Sequence, residues 1–519
     1  MNDEQPDRES PDKRRETRLR AGALSEAFFA DPEERVQHGL PSSDDEAMSV
    51  VVELNLFHEE GLAGSYTKFE RLYANLLVAG AKAPPVKIAD TYVRCEMTIN
   101  ETKEMVRLDQ INRTPPEQRA IYRVWPDFPM RLLIDRSVAT IKADAARRSY
   151  DASGNDIVWA VIDSGIDGRH PHFKTYETLG GSVEKLHHDF TSSEGRCNPL
   201  VDEFGHGTHV AGVIAGALCA PGEEKPSFEV RVGQRVAVAE DSTLETVQHR
   251  QKVDFTRLTG VAPRCKLISL KVLDEKGKRI RSTDVLRALE YVRVQLNGHG
   301  KPPLRVHGVN ISLGYEFNAR WFACGQSPVC IEVDRLVRTG VVVVISAGNT
   351  GYGELATTSG RTSTGLALSI NDPANSALGI SVGATHRDSP YTYGVSYFSS
   401  KGPTGDGRPK PDLVAPGERI TSCAAGKHVG ELKKAFPEIT DPDQWAPGSY
   451  AGYIDLSGTS MAAPHVSGAI ASFLSIRREF IGQPEEVKRI FLASATSLGR
   501  EKYFEGHGLV DLMRAIQSV

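Results

Sequence analysis

The stretch that decides the fold is DIVWAVID at residues 156–163. Between its two aspartates every residue is apolar, so it does not alternate as a half-exposed strand would. A short unbroken apolar run bounded by polar residues reads as a strand covered on both faces. Working outward, further runs of this kind alternate with helical stretches. GTHVAGVIAGAL (207–218) is followed by CKLISLKVL (265–273), and TDVLRALEYVRVQL (283–296) by HGVNISLG (307–314). IEVDRLVRTG (331–340), VVVVISAG (341–348) and ALGISVGAT (377–385) complete the series. The pattern predicts an α/β fold from about residue 137 onward, with a mostly parallel central sheet between two helical layers. In such sheets the chemistry gathers beyond the carboxyl ends of the strands.

Composition sets the surroundings of this fold. The 519 residues carry 62 Lys+Arg against 67 Asp+Glu, a net charge of −5, so charge calls for neither a nucleic acid nor a membrane surface as partner. The first 20 residues hold 12 charged side chains and no apolar core of a secretory signal, so the expected location is the cytoplasm. The seven cysteines, including Cys324 and Cys330 in the loop CGQSPVC, are then expected as free thiols.

Upstream, residues 1–47 are polar and charged and read as a disordered leader, with a short helix at 21–29. Residues 48–136 read differently. SVVVELNLF suggests a strand, YTKFERLYANLLVAG a helix, 87–99 a long alternating strand, ETKEMVRLDQIN a second helix and AIYRVWPDF a last strand. That order predicts a small α+β domain with an antiparallel sheet.

Four residues stand at the ends of the predicted strands or the starts of helices. Asp163 closes DIVWAVID, where an aspartate by default caps a turn. His206 lies between two glycines in FGHGTH and is suited to act as a base. It also forms a His-x-x-His pair with His209, and with His187, His188 and Asp189 nearby in sequence this leaves a metal site open, given a third ligand. Asn349 follows VVVVISAG and is either a turn residue or a side-chain amide aimed at an oxyanion. Ser460 precedes the helical VSGAIASFLSI, where a serine is an ordinary N-cap or sits among N–H groups that favour an anion. Together they supply a nucleophile, a base, an orienting carboxylate and an oxyanion donor. Their chain order, Asp, His, Ser, is one of those this constellation uses.

These motifs resemble the subtilisin-like serine proteases, the subtilases of peptidase family S8. AVIDSGIDGRHPHF (160–173), GHGTHVAG (205–212) and SGTSMAAPHVSGA (457–469) are similar to the three catalytic blocks. SLG (312–314), SAGN (346–349), FSSKGP (398–403) and DLVAPG (412–417) match framework motifs in the same order, over 137–519. The resemblance implies a subtilisin-like three-layer fold and a serine endopeptidase that hydrolyses protein or peptide substrates through an acyl-enzyme. Asp163 would orient His206, His206 would be general acid and base, Ser460 the nucleophile, and Asn349 an oxyanion donor. Substrate would lie between Ser312, Leu313 and Gly314 on one edge and Gly277, Lys278 and Arg279 on the other, with Ala347 and Gly348 alongside.

The resemblance also implies that 48–136 is a ferredoxin-like prodomain, an intramolecular inhibitor released by self-cleavage near 128–136. Departures from the family pattern carry expectations of their own. Tyr315 stands where a second glycine is usual and would reshape the primary pocket. His172 replaces the aspartate of the strongest family calcium site, so no calcium is expected there, and no other cofactor is assigned; a weak cation site elsewhere stays open. Long segments at 217–258, 350–369 and 426–452 would border the cleft. The competing expectation is a catalytically idle or partner-activated scaffold that only binds peptides.

Overall fold

A computed structural model describes residues 23–519 apart from 38–39, 77–82, 88–90, 112–113, 127–135, 192–197, 221, 224–225, 227, 238–244, 251–252, 275–280, 318–322 and 358–359. The chain divides into two units, Met1–Arg131 and Leu132–Val519. Among the described residues no helix is long and apolar enough to cross a membrane.

The first unit runs β1 (Met48–Leu54), α1 (Gly61–Leu76), β2 (Val86–Lys87), β3 (Tyr92–Met97), α2 (Ile99–Asp109) and β4 (Ile121–Pro126). Its sheet is antiparallel in the order β2-β3-β1-β4, the split β-α-β arrangement expected of a ferredoxin-like domain. Strict alternation in MSVVVEL sends Met48, Val50, Val52 and Leu54 inward, against Phe69 and Tyr73 one turn apart on α1. The expected long strand at 87–99 is a hairpin instead. It stops at Met97 because Thr98 caps α2 in a capping box with Glu101. The leader also differs from expectation. Residues 1–22 lie outside the described residues, but Ala23, Leu24, Phe28 and Leu40 are buried in this core, and Ser25 N donates to Val124 O at 3.0 Å beside β4. The apolar side chains of 23–29 bury enough surface to dock the segment, so the unit begins well before residue 48.

The second unit is built on seven strands: β5 (Val158–Asp163), β6 (His188–Asp189), β9 (Lys266–Lys271), β10 (Gly308–Ile311), β11 (Val342–Ser346), β14 (Ile380–Thr385) and β15 (Leu413–Pro416). They pair in parallel in the order β15-β14-β11-β10-β5-β9-β6. Alternate side chains enter opposite layers. Val161, Val344 and Val382 pack against α3 (His206–Ile214) and α7 (Thr459–Ile476), while Ile162, Val309 and Val343 pack against α4 (Ser282–Glu290) and α5 (Pro328–Arg338). The strand order reverses around β5, which has β9 on one side and β10 on the other. At such a switch point neighbouring connections diverge and open a crevice at the strand ends.

Two of the long segments join into one accessory sheet. β7 (Glu229–Ala237) and β8 (Glu245–His249) form a hairpin, and β7 pairs in parallel with β17 (Tyr450–Leu456), which pairs with β16 (Ile420–Cys423). Helix α6 (Lys427–Ala435) covers it through Leu432 and Ala435, beside Phe436, Trp445 and Tyr450. The third segment forms a separate hairpin, β12 (Tyr352–Thr357) with β13 (Gly360–Gly365), directly after Asn349.

Candidate active site

Asp163 is the last residue of β5 and is buried, and His206 is the first residue of α3. The imidazole Nδ1 lies 2.8 Å from Asp163 Oδ1 and 3.0 Å from Oδ2. A carboxylate accepts only, so Nδ1 carries the proton and Nε2 keeps its lone pair. Gly207 permits this approach: a Cβ there would sit 2.2 Å from Gly165 O and 3.0 Å from Asp163 Cβ. Burial disfavours the charged imidazole, but the charge and hydrogen bond of Asp163, with Asp202 behind, outweigh it and raise the His206 pKa above the ordinary 6.5.

Asp202 holds the loop that delivers His206. Its Oδ1 accepts from Gly205 N at 2.7 Å and Ser164 Oγ at 2.8 Å, and its Oδ2 from Thr208 N at 2.8 Å and Thr208 Oγ1 at 2.6 Å. Ser164 Oγ in turn accepts from Gly207 N at 2.9 Å, tying the end of β5 to the start of α3. Burial raises the Asp202 pKa despite these four hydrogen bonds, which favour the ionised form.

Ser460 is the second residue of α7, so its N–H has no partner within the helix. Its hydroxyl donates to Ser312 O at 3.1 Å, and Ser312 Oγ donates back to Ser460 O at 3.0 Å. Buried Asn310 on β10 supports this bridge, donating to Ser312 Oγ at 2.9 Å and accepting from Ser467 Oγ of α7 at 2.9 Å. Helices α3 and α7 pack closely: a Cβ on Gly468 of α7 would lie 3.2 Å from Ile214 O of α3. Asn349 Oδ1 accepts from Thr459 N at 2.9 Å and Thr459 Oγ1 at 3.0 Å. Because Thr459 N–H is only a donor, the amide orientation is fixed, and Nδ2 is left to donate beside Ser460.

The remaining sequence candidates separate. Leu313 and Gly314 lie between the end of β10 and the bridge in which Tyr315 N and Asp372 N each donate to the other's carbonyl at 2.9 Å. Their own peptide groups have no hydrogen-bond partner among the described residues, leaving an edge for an extended chain. Ala347 and Gly348 use their peptide groups internally. Ala347 bonds to Val382 O and Asn371 N, and Gly348 to Thr459 Oγ1 and Ser400 N. Each main-chain N–H and carbonyl of these two residues thus has a partner within the chain. Gly277, Lys278 and Arg279 lie outside the described residues.

The metal reading of His206 with His209 does not fit the geometry. His209 is fully buried, with Nε2 at 3.0 Å from Ile420 O and 3.1 Å from Ile454 O, and burial lowers its pKa to about 3. Among the described residues no group of three or more His, Cys, Asp and Glu is arranged to hold a metal ion. His172 is likewise buried, its Nδ1 3.0 Å from Tyr453 Oη, and a neutral imidazole among rings does not suit calcium, which takes oxygen ligands. Cys324 and Cys330 are free thiols.

Asp202, Asn310 and Thr459 escaped the sequence reading. Asp202 left one signal, an acid four residues before His206 where a glycine-rich turn needs acceptors. Asn310 left another, a lone amide inside an otherwise apolar strand.

Comparison with known proteins identifies the family. The profile of the Subtilase family matches residues 154–509. Subtilisin E of Bacillus subtilis (strain 168) is 29% identical over 380 residues, covering 73% of this chain and 70% of its own. Subtilisin of Bacillus pumilus is 29% identical over 380 residues, covering 73% of this chain and 98% of its own. The major intracellular serine protease of Bacillus subtilis (strain 168) is 27% identical over 331 residues, covering 63% and 70%.

Proposed function

The chain belongs to the subtilase family, a family of serine peptidases acting on protein or peptide substrates, and from that premise we propose a serine endopeptidase that works through Asp163, His206 and Ser460. The observation that carries this reading is the 2.8 Å contact of His206 Nδ1 with Asp163, which leaves Nε2 basic.

A substrate strand pairs with the Leu313–Gly314 edge. The Ser460 hydroxyl turns from Ser312 O toward His206 Nε2 and gives up its proton as Oγ attacks the carbonyl carbon; such contacts tighten only once substrate is bound. Negative charge gathers on the carbonyl oxygen and meets Asn349 Nδ2 and the Ser460 N–H. His206 passes the proton to the leaving amine, and the C–N bond breaks. Water then repeats the sequence on the acyl-enzyme and releases the new carboxylate. Asp163 stays ionised and stabilises the imidazolium. A cavity of about 90 Å³ beside the edge, lined by Val285, Ile311, Leu313, Tyr315, Val329 and Pro373, suits a small apolar substrate side chain.

The first unit acts in this reading as a prodomain and intramolecular inhibitor, removed by a cut near 128–136. Its split β-α-β order supports the assignment, and the many non-local contacts of a parallel sheet make a folding template useful. The test is incubation of wild type, Ser460→Ala and His206→Ala with a protein of known sequence, reading new termini and intact enzyme mass. Wild type alone generates new termini and loses mass from its N-terminal side. Cleavage that persists in Ser460→Ala overturns the reading.

A further inference from the structure

The segment that carries α6 lies far from Asp163 and His206 in sequence, yet it closes over the loop leading into His206. Lys427 N donates to Glu203 O at 3.0 Å. A Cβ on Gly205, whose φ is +86°, would sit 2.3 Å from Ala425 O and 2.8 Å from His428 Cδ2. One on Gly426 would sit 2.1 Å from Glu203 O. No side chain fits between the two backbones, so the loop has little room to move relative to α6. Over this contact the Lys427 ammonium stands 3.4 Å from the centroid of the Phe204 ring. The Phe204 and His206 rings are 6.5 Å apart, so the ammonium lies within 9.9 Å of the imidazole, the sum of the two separations.

We propose that Lys427 is a positioning residue for His206, anchoring the loop that carries the imidazole through Phe204 and setting the charge beside it. The inference rests on His206 being the general base. Two carboxylates act on His206, Asp163 in contact from the end of β5 and Asp202 through its charge from the preceding loop, and both favour a protonated ring. A ring already protonated cannot take the proton of Ser460. Lys427 is the cation that opposes them, and its presence lowers the proton affinity of His206. His209, one turn along α3, is buried and held neutral, and His428 of α6 is buried against Glu431. Around Lys427 itself, Glu431 and Arg235 act with opposite signs and pair with each other, and Asp202 attracts the ammonium from the His206 side.

The test uses a small uncharged fluorophosphonate, whose second-order rate of reaction with Ser460 needs neutral His206 and no substrate contact with Lys427. The rate is followed against pH for wild type, Lys427→Gln, Lys427→Glu and Lys427→Arg in the full chain. One charge 9.9 Å away changes proton affinity about twofold at the dielectric of bulk water and about 17-fold at the effective dielectric of about 20 near a protein surface. The acid-limb midpoint therefore moves up by about 0.3–1.2 pH units in Lys427→Gln, about twice that in Lys427→Glu, and stays in place in Lys427→Arg. At about 1 M salt, where the Debye length is about 3 Å, the shifts collapse. Limbs of Lys427→Gln and Lys427→Glu that coincide with wild type overturn the proposal. A wild type that does not react at Ser460 overturns instead the reading beneath it.

Discussion

Replacing Asp202 with asparagine tests whether the His206 loop is held as described. Two donors converge on each carboxylate oxygen: Gly205 N and Ser164 Oγ on one, Thr208 N and Oγ1 on the other. An asparagine keeps one accepting oxygen and presents an NH₂ where the other was. Whichever way it sits, one hydroxyl, of Ser164 or Thr208, can rotate to accept from that NH₂. One backbone N–H, of Gly205 or Thr208, cannot. A buried donor stranded in this way costs about 1–3 kcal/mol, and the surviving bonds lose the extra strength of a charged acceptor, so the total is about 2–4 kcal/mol. The replacement also removes a negative charge that favours imidazolium. In a Ser460→Ala background, which prevents self-digestion, urea unfolding followed by tryptophan fluorescence reads the first effect. In the active chain, the acid limb of fluorophosphonate labelling reads the second and moves down. A stability change below about 0.5 kcal/mol with an unmoved acid limb would mean that Asp202 does not hold the loop and that the four hydrogen bonds are incidental.

Three further outcomes follow from the geometry. The His206 pKa is raised, and a general base must be neutral, so kcat/KM falls with decreasing pH through a midpoint above about 6.5; Asp163→Asn brings that midpoint down and slows labelling by about 10⁴. Thr459→Val removes the hydroxyl that donates to Asn349 Oδ1 and accepts from Gly348 N, so kcat drops about tenfold with KM little changed; the full loss on Asn349→Leu is about 10²–10³, the magnitude known from a subtilisin. Asp412 is buried between Lys410 at 2.5 Å and Lys488 at 3.2 Å, so Asp412→Asn strands a buried ammonium and costs about 3–5 kcal/mol. Its pKa is lowered from 3.8 to about 2, a shift that contributes about 2 kcal/mol in wild type, fully present above about pH 4 and lost between about pH 4 and pH 2 in acid-unfolding curves.

Much of the parallel sheet was legible because its strands are buried on both faces. DIVWAVID and VVVVISAG have no polar face to hide, and Asp163 and Asn349 stand out as the polar residues that end them. The accessory sheet was only half legible. Alternation in EVRVGQRVA marks the β7 hairpin, but nothing local tells β7 to pair with β17, which follows it in the chain only after five strands of the central sheet. Asp202 and Asn310 are polar residues whose donors converge from separate segments, a convergence that exists only after folding. Ala347 and Gly348 show the reverse. The resemblance sets them beside the substrate, and only the fold reveals that sheet and loop partners take up their peptide groups. Residues 23–40 misled through their charge, which conceals the few apolar side chains that dock them.

The proposed mechanism stands on Ser460 being a nucleophile activated by His206. Peptide mapping after reaction with a fluorophosphonate, carried out on wild type, His206→Ala and Ser460→Ala, reads this at the residue itself. The expected result is a single covalent adduct on Ser460 in wild type, formation slowed by orders of magnitude in His206→Ala, and no adduct in Ser460→Ala. An adduct on another residue, or equal labelling of all three proteins, would contradict it.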